Sequence, residues 1–206
     1  EGCLWIGTLV EGLLIFDPKT ETFRQYQYDH KDPKSLSSRS VTTIVRDRSD
    51  IVWIGTVDGG LSKHDLKKKK FQLFTFDFDG HLYQNHNDIG SIYEDRKGIL
   101  WLGTIGKKTD PGLIRFNRRT GEYRRVMSHE SPLPNVYSIQ EDKEHQLLLA
   151  TYGDGLFRLN PRTLKFQTFL QMTGHILPEE FVRTLYFDNS GALWIGTRTQ
   201  GVYRFD

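Results

Sequence analysis

Apolar and polar positions alternate in short bursts along this chain, and the bursts recur. Trp5-Ile6-Gly7-Thr8 returns as Trp53-Ile54-Gly55-Thr56, Trp101-Leu102-Gly103-Thr104 and Trp194-Ile195-Gly196-Thr197, with a degenerate copy at Leu148-Leu149-Ala150-Thr151. The steps between copies are 48, 48, 47 and 46 residues. No segment holds apolar residues at helical spacing for three turns, which excludes a helical solenoid. Each unit instead predicts four short strands. The first starts at an aliphatic residue (Val41, Ile89, Val136, Val182) and runs to an Asp six positions on (Asp47, Asp95, Asp142, Asp188). That Asp opens a tight turn, written most clearly as Asp95-Arg96-Lys97-Gly98 and Asp188-Asn189-Ser190-Gly191, the residue types a type I turn favours. The Trp strand follows. A third strand opens at Gly12-Leu13, Gly60-Leu61, Gly112-Leu113, Gly155-Leu156 or Gly201-Val202, and a fourth at Phe23, Phe71, Tyr123 or Phe166.

Four antiparallel strands per unit, at a period between those of WD40 and kelch repeats, predict an all-β fold: a β-propeller of four-stranded blades. Trp5, Trp53, Trp101 and Trp194 are expected to pack between adjacent blades, with Gly55, Gly103 and Gly196 admitting a neighbouring backbone. In the fourth unit Leu148 and Ala150 replace Trp and Gly, so looser packing is expected there. The boundaries read as one propeller segment over 1–206: a partial blade at 1–28, blades at 41–76, 89–127 and 136–171, and a partial blade at 182–206. Eighteen strands do not divide into four-stranded blades. The chain is therefore expected to be an incomplete arc, with the remaining blades of a parent propeller among its partners.

Composition narrows the function classes. Lys and Arg number 28 against 26 Asp and Glu, a net charge of only +2, so the basic excess of a nucleic-acid binder is missing. The single cysteine, Cys3, excludes an internal disulfide framework and a cysteine-based zinc site. No apolar run approaches the length of a membrane span, so no membrane insertion by this segment is expected. Phosphate-cradling loops and a nucleophile elbow are absent, and the glycines follow the blade period. No cofactor, no metal and no catalytic residue is expected.

Length variation points to one face. In an up-and-down blade the connections after strands two and four emerge together, and they carry all the variation in spacing. A rigid scaffold that presents variable loops is a common way to build a binding face. The candidate ligand-binding residues in these loops are Tyr28, His30, Asp58, His81, Tyr83, Asn85, His86, His129, Tyr152, Asp154 and Arg198. Aromatic rings mixed with Asp, Asn, His and Arg suit a polyhydroxylated small molecule such as an oligosaccharide: rings stack on sugar faces and polar groups meet the hydroxyls.

Two strings bring a family into view. Asp32-Pro33-Lys34-Ser35-Leu36-Ser37-Ser38-Arg39-Ser40-Val41, with Asp47, Trp53-Ile54-Gly55-Thr56 and Gly59-Gly60-Leu61 after it, resembles the two-component regulator propeller repeat. Ser91-Ile92-Tyr93-Glu94-Asp95-Arg96-Lys97-Gly98-Ile99-Leu100-Trp101-Leu102-Gly103-Thr104 does too. The resemblance implies a seven-bladed propeller in the periplasmic or extracellular sensor of a hybrid histidine kinase, and a response to oligosaccharides. A homodimer is the arrangement through which such a sensor would signal. The fourth unit departs from the repeat in lacking Trp, Gly and the preceding Ser-Leu segment. Two other readings stay open behind the sensor: a non-signalling extracellular scaffold of a secretion or adhesion assembly, and a propeller lyase or hydrolase.

Overall fold

The computed structural model describes residues 2–65, 70–78, 88–106, 112–128, 131–175, 177 and 180–206. Its chain divides into two compact units, Glu1–Ile92 and Tyr93–Asp206. Antiparallel sheets with consecutive strand order build both.

In the first unit, β1 (Leu4–Gly7), β2 (Leu13–Asp17) and β3 (Thr22–Tyr26) form a three-stranded sheet. β4 (Val41–Arg46), β5 (Ile51–Thr56), β6 (Leu61–Asp65) and β7 (Lys70–Phe74) form a four-stranded one. β8 (Ile89–Glu94) spans the boundary and belongs to a sheet with β9 (Ile99–Thr104), β10 (Leu113–Asn117) and β11 (Tyr123–Arg125). The second unit continues with a small hairpin, β12 (Met127–Ser128) and β13 (Ser131–Pro132). Then come the four-stranded sheet β14 (Val136–Glu141), β15 (Leu147–Thr151), β16 (Leu156–Leu159) and β17 (Phe166–Thr168), and the three strands β18 (Val182–Phe187), β19 (Leu193–Thr197) and β20 (Val202–Phe205).

Two elements break the four-strand pattern. One is the hairpin β12–β13. The other is α1 (Phe169–Thr173), which begins where the outer strand of the fourth sheet was expected to continue. Thr168 caps it reciprocally with Gln171, and Gly174 closes it in the left-handed region at φ 74°. Buried Phe169 anchors it against Phe205, ring centroids 5.5 Å apart.

The central strands form the core because they are apolar on both faces. β9 and β15 are buried at every position. Trp101 is fully buried between its own sheet and the next, packed with Val136, Ile139, Leu147 and Leu149. Trp5 packs likewise, half-buried, against a core containing Val41, Val52 and Ile54. A Cβ built on Gly55 would lie 2.6 Å from Thr43 Cγ2 and 2.8 Å from the Ile89 carbonyl oxygen, so this position admits no side chain without backbone movement.

The tight turns share one clasp. Asp47 Oδ1 accepts from the backbone N–H of Ser49 (2.8 Å) and Ile51 (3.0 Å), while Oδ2 accepts from the Trp53 indole N–H at 2.7 Å. Asp95 with Trp101 and Asp188 with Trp194 repeat it, the indole bonds being 3.0 and 2.8 Å. Donation from the Ser190 hydroxyl and the Trp194 indole holds the Asp188 carboxyl well below the usual carboxylate range. The fourth turn residue takes positive φ: Gly98 at 76°, Gly191 at 90°, and also Asp50 at 62° and His145 at 61°.

The degenerate fourth unit is compensated rather than loose along its central strand. With Leu148 in place of Trp, Asp142 Oδ2 accepts instead from Arg158 Nε at 2.7 Å. Arg158 stands opposite Leu148 in the register, as Lys63 and Arg204 stand opposite Trp53 and Trp194. Ala150 replaces the glycine, and its cross-strand neighbour is Ser138 where Gly55 and Gly196 face Thr43 and Thr184. Leu148 borders a cleft of about 280 Å³, lined among others by Asp142, Arg158, Phe169 and Phe205. The segment before this sheet also keeps its leucine. Leu133 is buried against Gly112 as Leu36 is against Gly12, so the apolar anchor of the Ser-Leu segment is present under a different local sequence.

Candidate ligand-binding site

A threonine hydroxyl pins four of the loops that follow the central strands, while after β9 the Thr104 N–H alone reaches Gly112 O, at 3.0 Å. Thr8, Thr56, Thr151 and Thr197 donate their hydroxyls to the carbonyls of Gly12, Gly60, Gly155 and Gly201 at 2.8–3.0 Å. The residue after the threonine then reaches the segment leading into a first strand: Tyr152 N donates to Asn135 O and Arg198 N to Phe181 O, both at 3.0 Å. Backbone bonds thus fix where these loop side chains begin.

Within Tyr93–Asp206 this pinning gathers a cluster of rings and guanidiniums. Tyr152 lies 5.8 Å from Tyr137 and 4.6 Å from Phe181, centroid to centroid. The Arg183 guanidinium carbon sits 4.4 Å over the Tyr137 ring and 5.1 Å from Tyr152. Arg198 lies 5.4 Å from the Tyr152 ring and donates to its hydroxyl. Such contacts attract a cation to the negative ring face. The rings are half-buried and the arginines exposed.

Repeat geometry explains the cluster. Tyr137 and Arg183 are the second residues of β14 and β18, where the register shifts between Val136 and Ser138 and between Val182 and Thr184. They are the extra residues of two equivalent β-bulges, a device that re-aims a side chain. Asn135 and Phe181 precede those strands, and Tyr152 and Arg198 follow the threonines. Three equivalent positions from two neighbouring sheets therefore make the cluster. The same positions hold Ser40, Thr42 and Val57 in the second repeat and Asp88, Gly90 and Ile105 in the third, so the rings and guanidiniums are particular to the fourth and fifth.

A second concavity lies within Glu1–Ile92. Tyr28, His30 and Asp58 line a cleft of about 290 Å³ together with Asp29, Ser35 and Ser37. The loop is held locally: Asp29 Oδ1 accepts from Lys31 N and Asp32 Oδ1 from Lys34 N, each at 2.9 Å. The Asp58 N–H donates to Asp88 Oδ1 at 2.5 Å. Burial pushes the Asp88 carboxyl up, and the neighbouring Asp58 carboxylate adds to the rise against that backbone bond.

Of the residues singled out in the sequence, Tyr28, His30 and Asp58 share this cleft, and Tyr152 and Arg198 share the ring cluster. Asp154 is exposed in the turn beyond Tyr152, between Gly153 and Gly155, whose N–H groups both donate to Glu180 O. His81, Tyr83, Asn85, His86 and His129 lie outside the described residues. Tyr137, Phe181 and Arg183 were not singled out; the available signal was an aromatic or arginine at the repeat positions flanking the first-strand start. Among the described residues no three His, Cys, Asp or Glu side chains come together as a metal-binding group.

Residues 35–58, 83–106 and 176–199 match the two-component regulator propeller family. No curated protein sequence matches the chain. Among solved structures, the chain is similar to the extracellular domain described as that of the hybrid two-component system BT4673 of B. thetaiotaomicron, at TM-score 0.79 and 20% identity, over 98% of this chain and 25% of that one. PorZ, a surface component of the type-IX secretion system of Porphyromonas gingivalis, is similar at TM-score 0.67 and 20% identity, over 98% and 30% of the two chains. The WD40 propeller domain of Doa1 aligns at TM-score 0.69 and 12% identity, over 99% and 60%. The chain thus spans about a quarter of the BT4673 chain and under a third of PorZ. The sheets are β-propeller blades, and the three segments that hold the recurring Asp–Trp clasps match the two-component regulator propeller repeat.

Proposed function

We propose that the chain is a ligand-binding segment of a periplasmic or extracellular sensor propeller that signals to a histidine kinase, and that its ligand is an oligosaccharide. The observation carrying this reading is the Tyr137–Tyr152–Phe181 ring cluster with Arg183 and Arg198, built from equivalent loop-side positions of two adjacent blades. Rings in contact offer apolar faces to the C–H face of a sugar, and the guanidiniums offer fixed donors to its oxygens. The extracellular two-component relative supports the sensor role. Signalling would need a ligand affinity that differs between two arrangements, for instance of a homodimer, because a ligand shifts only what it binds unequally. No catalytic role is assigned to any residue of the cluster.

Likeness to PorZ favours a second reading, a scaffold surface in a secretion assembly. A calorimetric screen of the purified chain against oligosaccharides separates the two. The sensor reading expects binding that Tyr152→Ala weakens by about tenfold, the equivalent of 1.4 kcal/mol. Absence of binding across the screen, with capture of an assembly protein instead, would favour the scaffold.

A further inference from the structure

We infer that the ring cluster takes an acidic sugar, with Arg183 and Arg198 receiving a carboxylate or sulfate group while the tyrosines hold the ring beside it. This rests on the oligosaccharide reading and narrows it. Five arginines meet acids: Arg46 with Asp50, Arg96 with Glu141, Arg118 with Glu94, Arg158 with Asp142, and Arg204 with Asp206. Among the described residues others, such as exposed Arg24 and Arg162, form no ion pair. Arg183 and Arg198 are of this second kind but converge on one ring, both guanidiniums lying within 5.4 Å of Tyr152.

Two like charges on one ring repel, and an anion between them removes that cost. The geometry also leaves donors free. The Arg183 guanidinium carbon lies 4.4 Å over the Tyr137 ring and its N–H groups meet no acceptor among the described residues, so they can receive a carboxylate or sulfate bidentately. Arg198 uses one nitrogen on the Tyr152 hydroxyl and keeps the remainder. A site for neutral sugars would be expected to pair acceptors with these donors, as Asp and Asn side chains do for hydroxyl groups. The bulges place Arg183 and Tyr137 at equivalent positions of neighbouring strands, so charge and ring stand side by side by construction.

The test is calorimetry of the chain with three probes of matched length: an oligogalacturonide, a chondroitin sulfate oligosaccharide and a cello-oligosaccharide. The inference expects at least one acidic probe to bind and the neutral one to bind at least about tenfold more weakly. Arg183→Gln and Arg198→Gln should each weaken the acidic probe by about tenfold or more, the usual effect of losing a charged hydrogen bond. Arg→Lys should restore part of it, and raising salt should weaken binding. Both arginines are exposed, so an unchanged melting temperature verifies folding. If either Gln variant does not fold, its Lys variant and the salt titration decide. Equal binding of the neutral probe, insensitive to both arginines but weakened by Tyr152→Ala, would overturn the acidic ligand and leave the oligosaccharide reading standing. Failure of all three probes to bind would overturn both.

Discussion

Replacing Gly196 by alanine tests the packing logic at its tightest point. An ideal Cβ on Gly196 lies 2.5 Å from Thr184 Cγ2, its next neighbours being Thr184 O at 3.8 Å and Thr184 Cβ at 3.9 Å. Carbon atoms prefer about 3.5–4.0 Å, so the methyl must yield by about 1 Å. Thr184 is exposed and can leave its rotamer, at about 0.5–1.5 kcal/mol. Gly196→Ala should therefore destabilise by about 1 kcal/mol, less a few tenths regained from the stiffer unfolded chain. Thr184→Ser removes the offending methyl and recreates the Ser138–Ala150 pair already present in the fourth sheet. The double variant should return to wild-type stability or slightly above, a coupling of about 1 kcal/mol in a double-mutant cycle. Gly55 supplies the control. Its added Cβ meets Ile89 O at 2.8 Å as well as Thr43, so Gly55→Ala should cost about 2 kcal/mol or more and Thr43→Ser should not restore it. Urea unfolding reads all of these. A neutral Gly196→Ala, or a double variant no better than the single, would refute the reasoning.

Three further outcomes follow from the same structure. Leu148→Trp should fill the cleft beside β15, let the indole take Asp142 Oδ2, and leave Arg158 over the ring as Arg204 is over Trp194; a gain of about 1 kcal/mol is expected in urea unfolding, and a loss would mean the cleft cannot receive the indole. Trp101→Phe should destabilise by about 2–3 kcal/mol, since it removes buried volume and the N–H that meets Asp95; wild-type stability would remove the clasp from the account. Burial among Trp5, Tyr26 and Phe71 holds the buried His64 imidazole below its ordinary value of 6.5. As pH falls below 6.5 the unfolded chain binds a proton that folded His64 does not, so stability falls until the folded pKa is passed and is unaffected by this group above 6.5. His64→Phe, the residue at the equivalent positions 16, 116 and 205, should flatten that part of the stability–pH curve; parallel curves for the two proteins would contradict it.

The blade architecture was legible because one side-chain set repeats it. Trp, Gly and the turn-opening Asp each mark a fixed place in a four-strand unit, and the sheets follow that order. The Asp–Trp clasp was less visible: a six-residue spacing does not show that one carboxylate caps a turn with Oδ1 and an indole with Oδ2. Substitutions in the fourth unit read as losses because their compensations lie across strands, at Arg158 for Leu148 and Ser138 for Ala150. α1 was hidden by its five-residue length, too short for a helical period, although Thr168 and Gln171 form its cap. Of the candidate site, the loop residues Tyr152 and Arg198 were legible because they lie on the face whose other loops vary in length and are of a kind that binds ligands. Tyr137 and Arg183 sit inside strands, and only the bulge, a register effect without a compositional mark, turns them toward the loop side.

The central claim is that ligand binds at the ring cluster formed by equivalent positions of the fourth and fifth blades. Titrating the isotope-labelled chain with a binding oligosaccharide and following amide and arginine side-chain resonances tests it most directly. The account predicts that the largest shifts fall on Tyr137, Tyr152, Phe181, Arg183 and Arg198. Shifts confined to the tight turns at Asp47, Asp95, Asp142 and Asp188, or to the cleft of Tyr28, His30 and Asp58, would contradict it.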